Sequence, residues 1–429
     1  MSGASAPHEV PPAGDPLASA RAMRAVFGAT FFVRLSFGLT LAVFASYIAS
    51  RSVGLDASAV GTIGIVGALA PVGEFSTVLL SGILADRYGR FPVLLAGTAG
   101  AAVVMSVVAA TRNPWALGGA NLVFGVSSGA ILAASLAVVG DRADVNHRGY
   151  AMGQFDAVNL LGWIAGFALG FAALGTLPND RLPLVFLGAT ILLAAGFVFA
   201  RWTTRTDREG TIRQSVVDVS FLVRTAVRRD VLIVTLPWLV IYLLLGTLFV
   251  FLGAAATGNG VPALELSAAI GIGGSLLLVT QPLFGRAADK YGRFRLMSIG
   301  TVGFVGVLTA AGLLATYGLS IPALVLLGAS ALPALAYGPA ALAALADLSR
   351  TLSRATTMAI YSLTISLGML IGLLASTSLY AHFGAPGLDV FFGTIAAALV
   401  GLTVVRYRDL RAAARAPAPP PPTGPSPAP

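Results

Sequence analysis

Cysteine is absent from the 429-residue sequence, which excludes a disulfide framework, thiolate metal sites and a cysteine nucleophile. Histidine is scarce, and His8, His147 and His382 lie too far apart in sequence to suggest a metal cluster. Charge is scarcer than in any ordinary soluble protein. Asp, Glu, Lys and Arg together make up 10% of the chain, against about 25% in typical globular domains, too few to solvate a surface of this size. No Gly-x-x-x-x-Gly-Lys-Ser/Thr phosphate loop occurs, which argues against ATP-driven chemistry by this polypeptide. The sequence also offers no metal or nucleophile constellation of the kind a membrane enzyme needs, so it is not read as an enzyme. What the chain has instead is apolar mass: 56% hydrophobic residues, 50 glycines and a mean hydropathy of +0.86. The glycines sit mostly inside apolar runs, including Gly271-Ile-Gly273-Gly274, where they suit close helix packing better than linker flexibility.

A spanning helix needs roughly 20 mostly apolar residues. That template predicts spans near 24–49, 58–83, 91–110, 114–139, 149–174 and 182–202, then 231–256, 265–287, 295–316, 320–346, 355–380 and 387–406. The expected organisation is a tail over 1–23, a six-helix bundle over 24–202, a linker over 203–230, a second bundle over 231–406 and a Pro-rich tail over 407–429. Residues 1–23 hold Glu9 and Asp15 and no continuous apolar core, so no cleavable signal peptide is expected. With both tails placed in the cytoplasm of a cell membrane, all but Arg34, Arg51, Arg112 and Arg181 of the 27 basic residues fall in inner loops or tails. The positive-inside rule favours that topology. It also explains the net charge of +9 without nucleic acid, since the basic residues line loops and form no basic domain. The linker carries Arg205, Arg208, Arg213, Arg224, Arg228 and Arg229. It reads equally as a solvated loop or as an amphipathic helix, with Val216, Val219, Phe221, Val223 and Val227 resting on the inner membrane surface.

The two halves repeat each other. Gly82-Ile-Leu-Ala-Asp86-Arg87-Tyr88-Gly89-Arg90-Phe91 recurs as Gly285-Arg-Ala-Ala-Asp289-Lys290-Tyr291-Gly292-Arg293-Phe294, offset by 203 residues. At an offset of 206, Asp141, Gly162 and Gly166 map onto Asp347, Gly368 and Gly372, setting the fifth span opposite the eleventh. In each loop the first glycine permits close helix contact, the aspartate can face a neighbouring helix N-terminus, the second glycine allows a tight turn and the basic residues hold the inner end. Both loops fit the signature of the major facilitator superfamily, which the chain resembles over about residues 24–406. The resemblance implies an all-α membrane protein of twelve spanning helices in two pseudo-symmetric six-helix bundles. It further implies a secondary transporter working by alternating access on a small molecule.

Gly153, Gly162, Gly166 and Gly170 in the fifth span resemble the antiporter motif of drug/proton exchangers in that superfamily, with Phe167 and Phe171 at positions where the motif has Pro and Gly. A small-residue packing face explains the same glycines, and the two readings stand level. In the fourth span Asn121 occupies the place of an arginine common in proton-linked exporters, and can bond either a substrate or a neighbouring helix.

Three ionisable residues lie deep in spans: Arg34, Glu74 and Asp156, all in the first half. At about 1.5 Å per residue they share the middle zone of the bilayer, where charge is costly unless paired or wetted and so tends to mark function. Together they carry one surplus negative charge. The expected arrangement has Arg34 pairing with one acid while the other exchanges a proton, with Asp156 favoured slightly because Asn159 lies one turn away on nearly the same face. A purely structural ion-pair network is the alternative. The second half places no charge deep in a span, and Trp238, Tyr242, Gln281, Tyr337 and Tyr361 are its cavity candidates, as rings with polar tips suit amphipathic ligands; packing or interfacial anchoring serves them as well. Pro237, Pro282, Pro333 and Pro339 are expected to kink spans seven, eight and ten. The reading is proton-coupled export of a small amphipathic or hydrophobic organic molecule by a monomer, driven by an ion gradient and without cofactor or metal. Import or uniport of a metabolite or organic anion is the alternative.

Overall fold

The computed structural model describes residues 16–51, 59–111, 113–143, 147–203, 224–225, 227–258, 280–317, 320–348, 354–383 and 385–415. Among them the long elements are all helices: α1 (Pro16–Arg51), α2 (Ala59–Tyr88), α3 (Arg90–Ala110), α4 (Pro114–Arg142), α5 (Arg148–Thr176), α6 (Pro183–Thr203), α7 (Arg229–Gly258), α8 (Thr280–Tyr291), α9 (Arg293–Tyr317), α10 (Ile321–Leu335), α11 (Tyr337–Leu348), α12 (Arg354–Phe383) and α13 (Ala385–Arg415). Among the described residues nine candidate spans are long and apolar enough to cross a membrane, or ten if a bent pair within α2 is one span. The chain is thus an all-helical, multi-pass membrane protein. The helices follow the twelve expected segments in order, with α10 and α11 sharing the tenth and α8 forming the end of the eighth.

The physical logic is that of a bilayer. Large apolar side chains such as Val103, Trp115, Ile191, Val198, Val302 and Val325 are exposed on the outside of the bundle, where acyl chains, not water, receive them. Buried hydroxyls return to their own helices: Thr98 Oγ1 donates to Leu94 O at 2.8 Å and Thr301 Oγ1 to Met297 O at 2.8 Å, leaving fewer unpaired polar groups where no water can serve them.

In the first half α1 packs on α5 and α6, α2 on α4, and α3 on α4 and α6; in the second α7 packs on α12, and α9 on α10 and α13. Two seams join the halves. One is α2 against α12, with α4 adding contacts, and the other is α5 against α8 and α11. These are the helices related by the internal repeat, so the seams are pseudo-equivalent.

Several boundaries differ from the expected ones. Helix α1 begins at Pro16, within the segment read as a tail, and α13 continues to Arg415, past the expected tail boundary at 407; alanine-rich ends such as Ala412-Ala-Ala414 favour helix once a span has nucleated it. The helix runs on through Pro237 in α7. The tenth span is interrupted at Ala336, whose N–H reaches back to Pro333 O at 3.0 Å. Pro339 then falls in the first turn of α11, where its missing N–H costs little. Most of the linker, residues 204–223, and the first part of the eighth span, 259–279, lie outside the described residues, and with them the amphipathic-helix reading.

Candidate functional site: the seam between the halves

Each repeated loop closes on an arginine. Gly89 and Gly292 adopt φ of 99° and 93°, a region closed to side chains with a Cβ, and so turn the chain sharply. The turn starts α3 at Arg90 and α9 at Arg293, aiming both side chains back at the preceding helix. Arg90 bridges Asp86, 3.9 Å away, and Asp141 of α4. Arg293 bridges Asp289, 3.8 Å away, and Asp347 of α11, and donates to Ala343 O at 2.6 Å. The matching of Asp141 to Asp347 in the sequence thus records a shared ion pair. Arg87 and Lys290 are exposed and lie over the neighbouring Tyr88 and Tyr291 rings.

The second loop also reaches the other half. Asp289 Oδ2 accepts the backbone N–H of Tyr150 at 3.0 Å, placing a carboxylate at the N-terminus of α5, where the helix dipole favours it. The Arg286 guanidinium sits 4.4 Å from the centroid of the Tyr150 ring. One turn deeper, a Cβ on Gly153 would come within 2.8 Å of Gln281 O, so α5 and α8 touch backbone to backbone. On the side bearing the basic loops this seam is closed.

The remaining glycines of α5 face elsewhere. A Cβ on Gly162 would lie 2.6 Å from Arg34 Cβ, and one on Gly170 2.5 Å from Ala42 Cβ, while Gly166 abuts the Leu35 and Leu39 backbone. These three therefore seat α1 on α5 within the first half. Gly368 and Gly372 do the same for α12 against Leu239, Tyr242 and Leu243 of α7, so close packing accounts for the repeated glycine face. Asn121 is committed to packing too: its Nδ2 donates to Val66 O of α2 at 2.7 Å.

Arg34, Glu74 and Asp156 do converge. All three are at least nine-tenths buried, and both acids lie within electrostatic reach of Arg34. Its guanidinium lies 5.5 Å from the Phe37 ring centroid and 5.6 Å from that of Trp163, which supplies cation–π stabilisation in place of lost hydration. Glu74 is held across the seam, for Ser362 Oγ of α12 donates to its Oε1 at 2.5 Å. Asp156 lies against the break in the tenth span: a Cβ on Gly338 would be 2.5 Å from its Oδ2.

The aromatic candidates of the second half form one cluster beside these charges. Trp238 stacks on Tyr242 at 5.5 Å and meets Tyr337 and Tyr361 edge-on at 5.5 and 5.0 Å, and the Tyr242 and Tyr361 hydroxyls are 3.1 Å apart. Both of those tyrosines are in electrostatic range of Arg34 and Asp156. Tyr337 spends its hydroxyl on Val234 O at 2.7 Å and is fully buried, a packing role. Gln281 and Asn159 are buried, and among the described residues Gln281 Oε1 and Asn159 Oδ1 have no hydrogen-bond partner. The residues that sequence reasoning missed are Ser362, Tyr150, Arg286 and Gly338. One signal was present: the 206-residue offset maps Asp156 onto Ser362, so the same position of the repeat supplies an acid to one half and the donor to Glu74 in the other. Among the described residues no group of His, Cys, Asp and Glu suited to a metal ion occurs.

Comparison with known proteins agrees with this architecture. The family model described as Major Facilitator Superfamily matches residues 26–332 and again 239–429. The chain is 30% identical over 150 residues to the class C tetracycline resistance protein of Escherichia coli, covering 35% of this chain and 37% of that protein. It is 37% identical over 119 residues to the class G protein of Vibrio anguillarum (28% and 29%), and 32% over 162 residues to the class D protein of Salmonella ordonez (37% and 40%). The chain therefore spans less than half the length of these relatives. In fold it is similar to the human organic anion transporter MFSD10 (TETRAN), with TM-score 0.70 and 20% identity over 90% of this chain and 99% of that one. It is also similar to the proton:xylose symporter XylE, with TM-score 0.67 and 16% identity over 91% and 94%. Paired loops, paired seams and a family model spanning both halves lead to one assignment: this chain belongs to the major facilitator superfamily, a family of membrane transporters rather than enzymes.

Proposed function

We propose that the protein is a proton-coupled exporter of small amphipathic or hydrophobic organic molecules, working by alternating access in the cell membrane with both termini in the cytoplasm. It works as a monomer and needs no cofactor beyond an ion gradient. The observation that carries the reading is the convergence of Arg34, Glu74 and Asp156 at the junction of the halves, with Glu74 bonded across the seam to Ser362. Rocking of one half against the other must alter the surroundings of these groups, and a buried charge whose partner moves has reason to take up or release a proton. Arg34 neutralises one acid while the other carries the exchanging proton, with Asp156 favoured because Glu74 already accepts the Ser362 hydroxyl. The relatives named for tetracycline resistance support drug export.

The alternative, import or uniport of a small metabolite or organic anion held by Arg34, draws on the deep burial of that arginine. The test is proton movement in proteoliposomes under an imposed pH gradient, with lipophilic cations, neutral amphiphiles and small organic anions supplied in turn. Export coupled to protons requires substrate-dependent flux that Asp156→Asn or Glu74→Gln, made separately, abolishes while substrate exchange persists. Exchange without flux for every ligand class would leave the three charges as a structural network.

A further inference from the structure

Helix α2 carries a break that another helix closes. It runs on through Pro71, a buried residue one turn before Glu74. A proline inside a helix has no N–H to give and crowds the carbonyl four residues back, so Gly67 O loses the donor that residue 71 would otherwise supply. In a bilayer no water replaces that donor, and a neighbouring helix has to. Asn121 of α4 does so: its Nδ2 donates to Val66 O at 2.7 Å and to Gly67 O at 3.4 Å. The two N–H groups of one amide thus meet two adjacent carbonyls at the break. Both partners are acceptors, which fixes the orientation of the amide. Asn121 is 8% exposed, and with both N–H groups engaged it has no donor to offer a substrate.

The same face of α4 then places Glu74. Residues 121, 125 and 129 follow one another at helical spacing. A Cβ on Gly125 would run into Ala70 O and stand 2.9 Å from Glu74 N, and one on Gly129 would stand 3.3 Å from Glu74 Cγ. From the other side, a Cβ on Gly73 would run into Leu122 O. The α2 backbone from Ala70 to Glu74 therefore lies directly on α4, and this contact delivers the Glu74 carboxyl to Ser362 Oγ of α12. With the amide removed, the open carbonyls at the break leave α2 free to bend at Pro71, and the bend carries Glu74 with it. We infer that Asn121 is a positioning residue: by closing the break at Pro71 it sets the place of Glu74, and through it the hydrogen bond across the seam. The consequence for transport rests on the proposed role of Glu74 in coupling, whereas the placement of the carboxyl does not.

The test uses the full-length protein in nanodiscs and two readouts that need no substrate. The first is a melting cycle over the parent, Asn121→Leu, Pro71→Ala and the double variant. Leu has nearly the shape of Asn without its donors, and Ala at position 71 returns the N–H that Gly67 O lacks. Asn121→Leu is expected to lower the melting temperature by at least about 2 °C in the parent and by much less beside Pro71→Ala, the non-additivity of two groups that serve one carbonyl. The second readout is the infrared C=O stretch of the protonated Glu74 carboxyl at low pH, assigned by its loss in Glu74→Gln. Asn121→Leu should move that band to higher frequency, as Ser362→Ala does by removing the hydroxyl donor, and adding Pro71→Ala should bring it back. A role confined to holding α2 on α4 would change melting and leave the band in place. Additive melting changes, or a Glu74 band that Asn121→Leu does not move, overturns the inference. If Asn121→Leu alone does not fold, folding of the double variant supports the inference and failure of both overturns it. The two readings fail separately. Absence of proton flux in proteoliposomes with both readouts as expected sinks the coupling alone, whereas flux abolished by Glu74→Gln with additive melting at positions 71 and 121 sinks this inference alone.

Discussion

Single residues in this protein act through the low dielectric around them. Ser362 is the clearest case, because its hydroxyl reaches Glu74 from the other half. Ser362→Ala removes that bond, and with it about 1–3 kcal/mol where the carboxyl is ionised. The expected outcome is a lower melting temperature together with altered transport, whereas Ser366→Ala, whose hydroxyl bonds Ser362 O within the same helix at 2.8 Å, should change melting little and transport not at all. A second residue-scale prediction concerns packing. Gly162→Val forces a side chain into Arg34 Cβ and Phe31 O, 2.6 and 2.9 Å from the position of the Cβ alone, and overpacking of this kind costs about 1–3 kcal/mol or more. Gly188→Ala in α6, with nothing within 4 Å of the added Cβ, should be neutral or stabilising by up to about 1 kcal/mol, as alanine favours helix over glycine. Equal melting temperatures for these two variants would contradict the α1–α5 contact.

Between elements, the repeated loops are clamps of the same construction with different reach. Arg293 joins α8, α9 and α11 through Asp289 and Asp347, while Asp289 also holds α5 of the other half. Removing Arg293 leaves two acids near one another, and loss of one partner from a partly buried pair costs more than the pair itself contributes. Arg293→Ala is therefore expected to slow transport strongly and lower melting. The exchange Arg293→Asp with Asp347→Arg should recover part of the loss relative to either single change, a non-additivity that a double-mutant cycle reads directly. The element scale also shows why the repeat was legible in the sequence when its purpose was not. The spacing Gly-x-x-x-Asp-x-x-Gly-Arg is local and fixes a turn, so it can be read from the chain. The partner of each arginine lies 51 or 54 residues further on in another helix, and nothing local predicts that Asp141 and Asp347 are those partners.

At the scale of the whole molecule, transport requires the two halves to part at one side and then at the other. The α5–α8 seam is closed on the side of the basic loops by the Tyr150–Asp289 bond, the Arg286–Tyr150 stack and the Gly153–Gln281 contact. The absence of native cysteine makes the motion directly testable. Cysteines introduced at Tyr150 and Arg286, joined by a short bis-thiol reagent, should stop transport in proteoliposomes, while either single cysteine treated alike should not. A cleavable reagent should restore activity on reduction. Unimpeded transport in the cross-linked protein would mean that this seam does not open.

Composition and periodicity by themselves determined the class: so little charge and so many apolar runs leave a chain no stable state except spanning a bilayer, and the repeated loops set two similar halves in series. They also singled out Arg34, Glu74 and Asp156, because a charge deep in an apolar run is conspicuous in one dimension. What only the tertiary structure decided is which groups meet. The α5 glycines divide between α1 and α8, Asn121 serves α2, Tyr337 serves α7, and the second half's tyrosines stand beside the first half's acids. The reason is that the seam joins residues more than a hundred positions apart, and helices facing one another in a bilayer leave no trace of their partners in local spacing. That the buried Asn159 and Gln281 oxygens have no partner among the described residues is likewise visible only once the helices are packed.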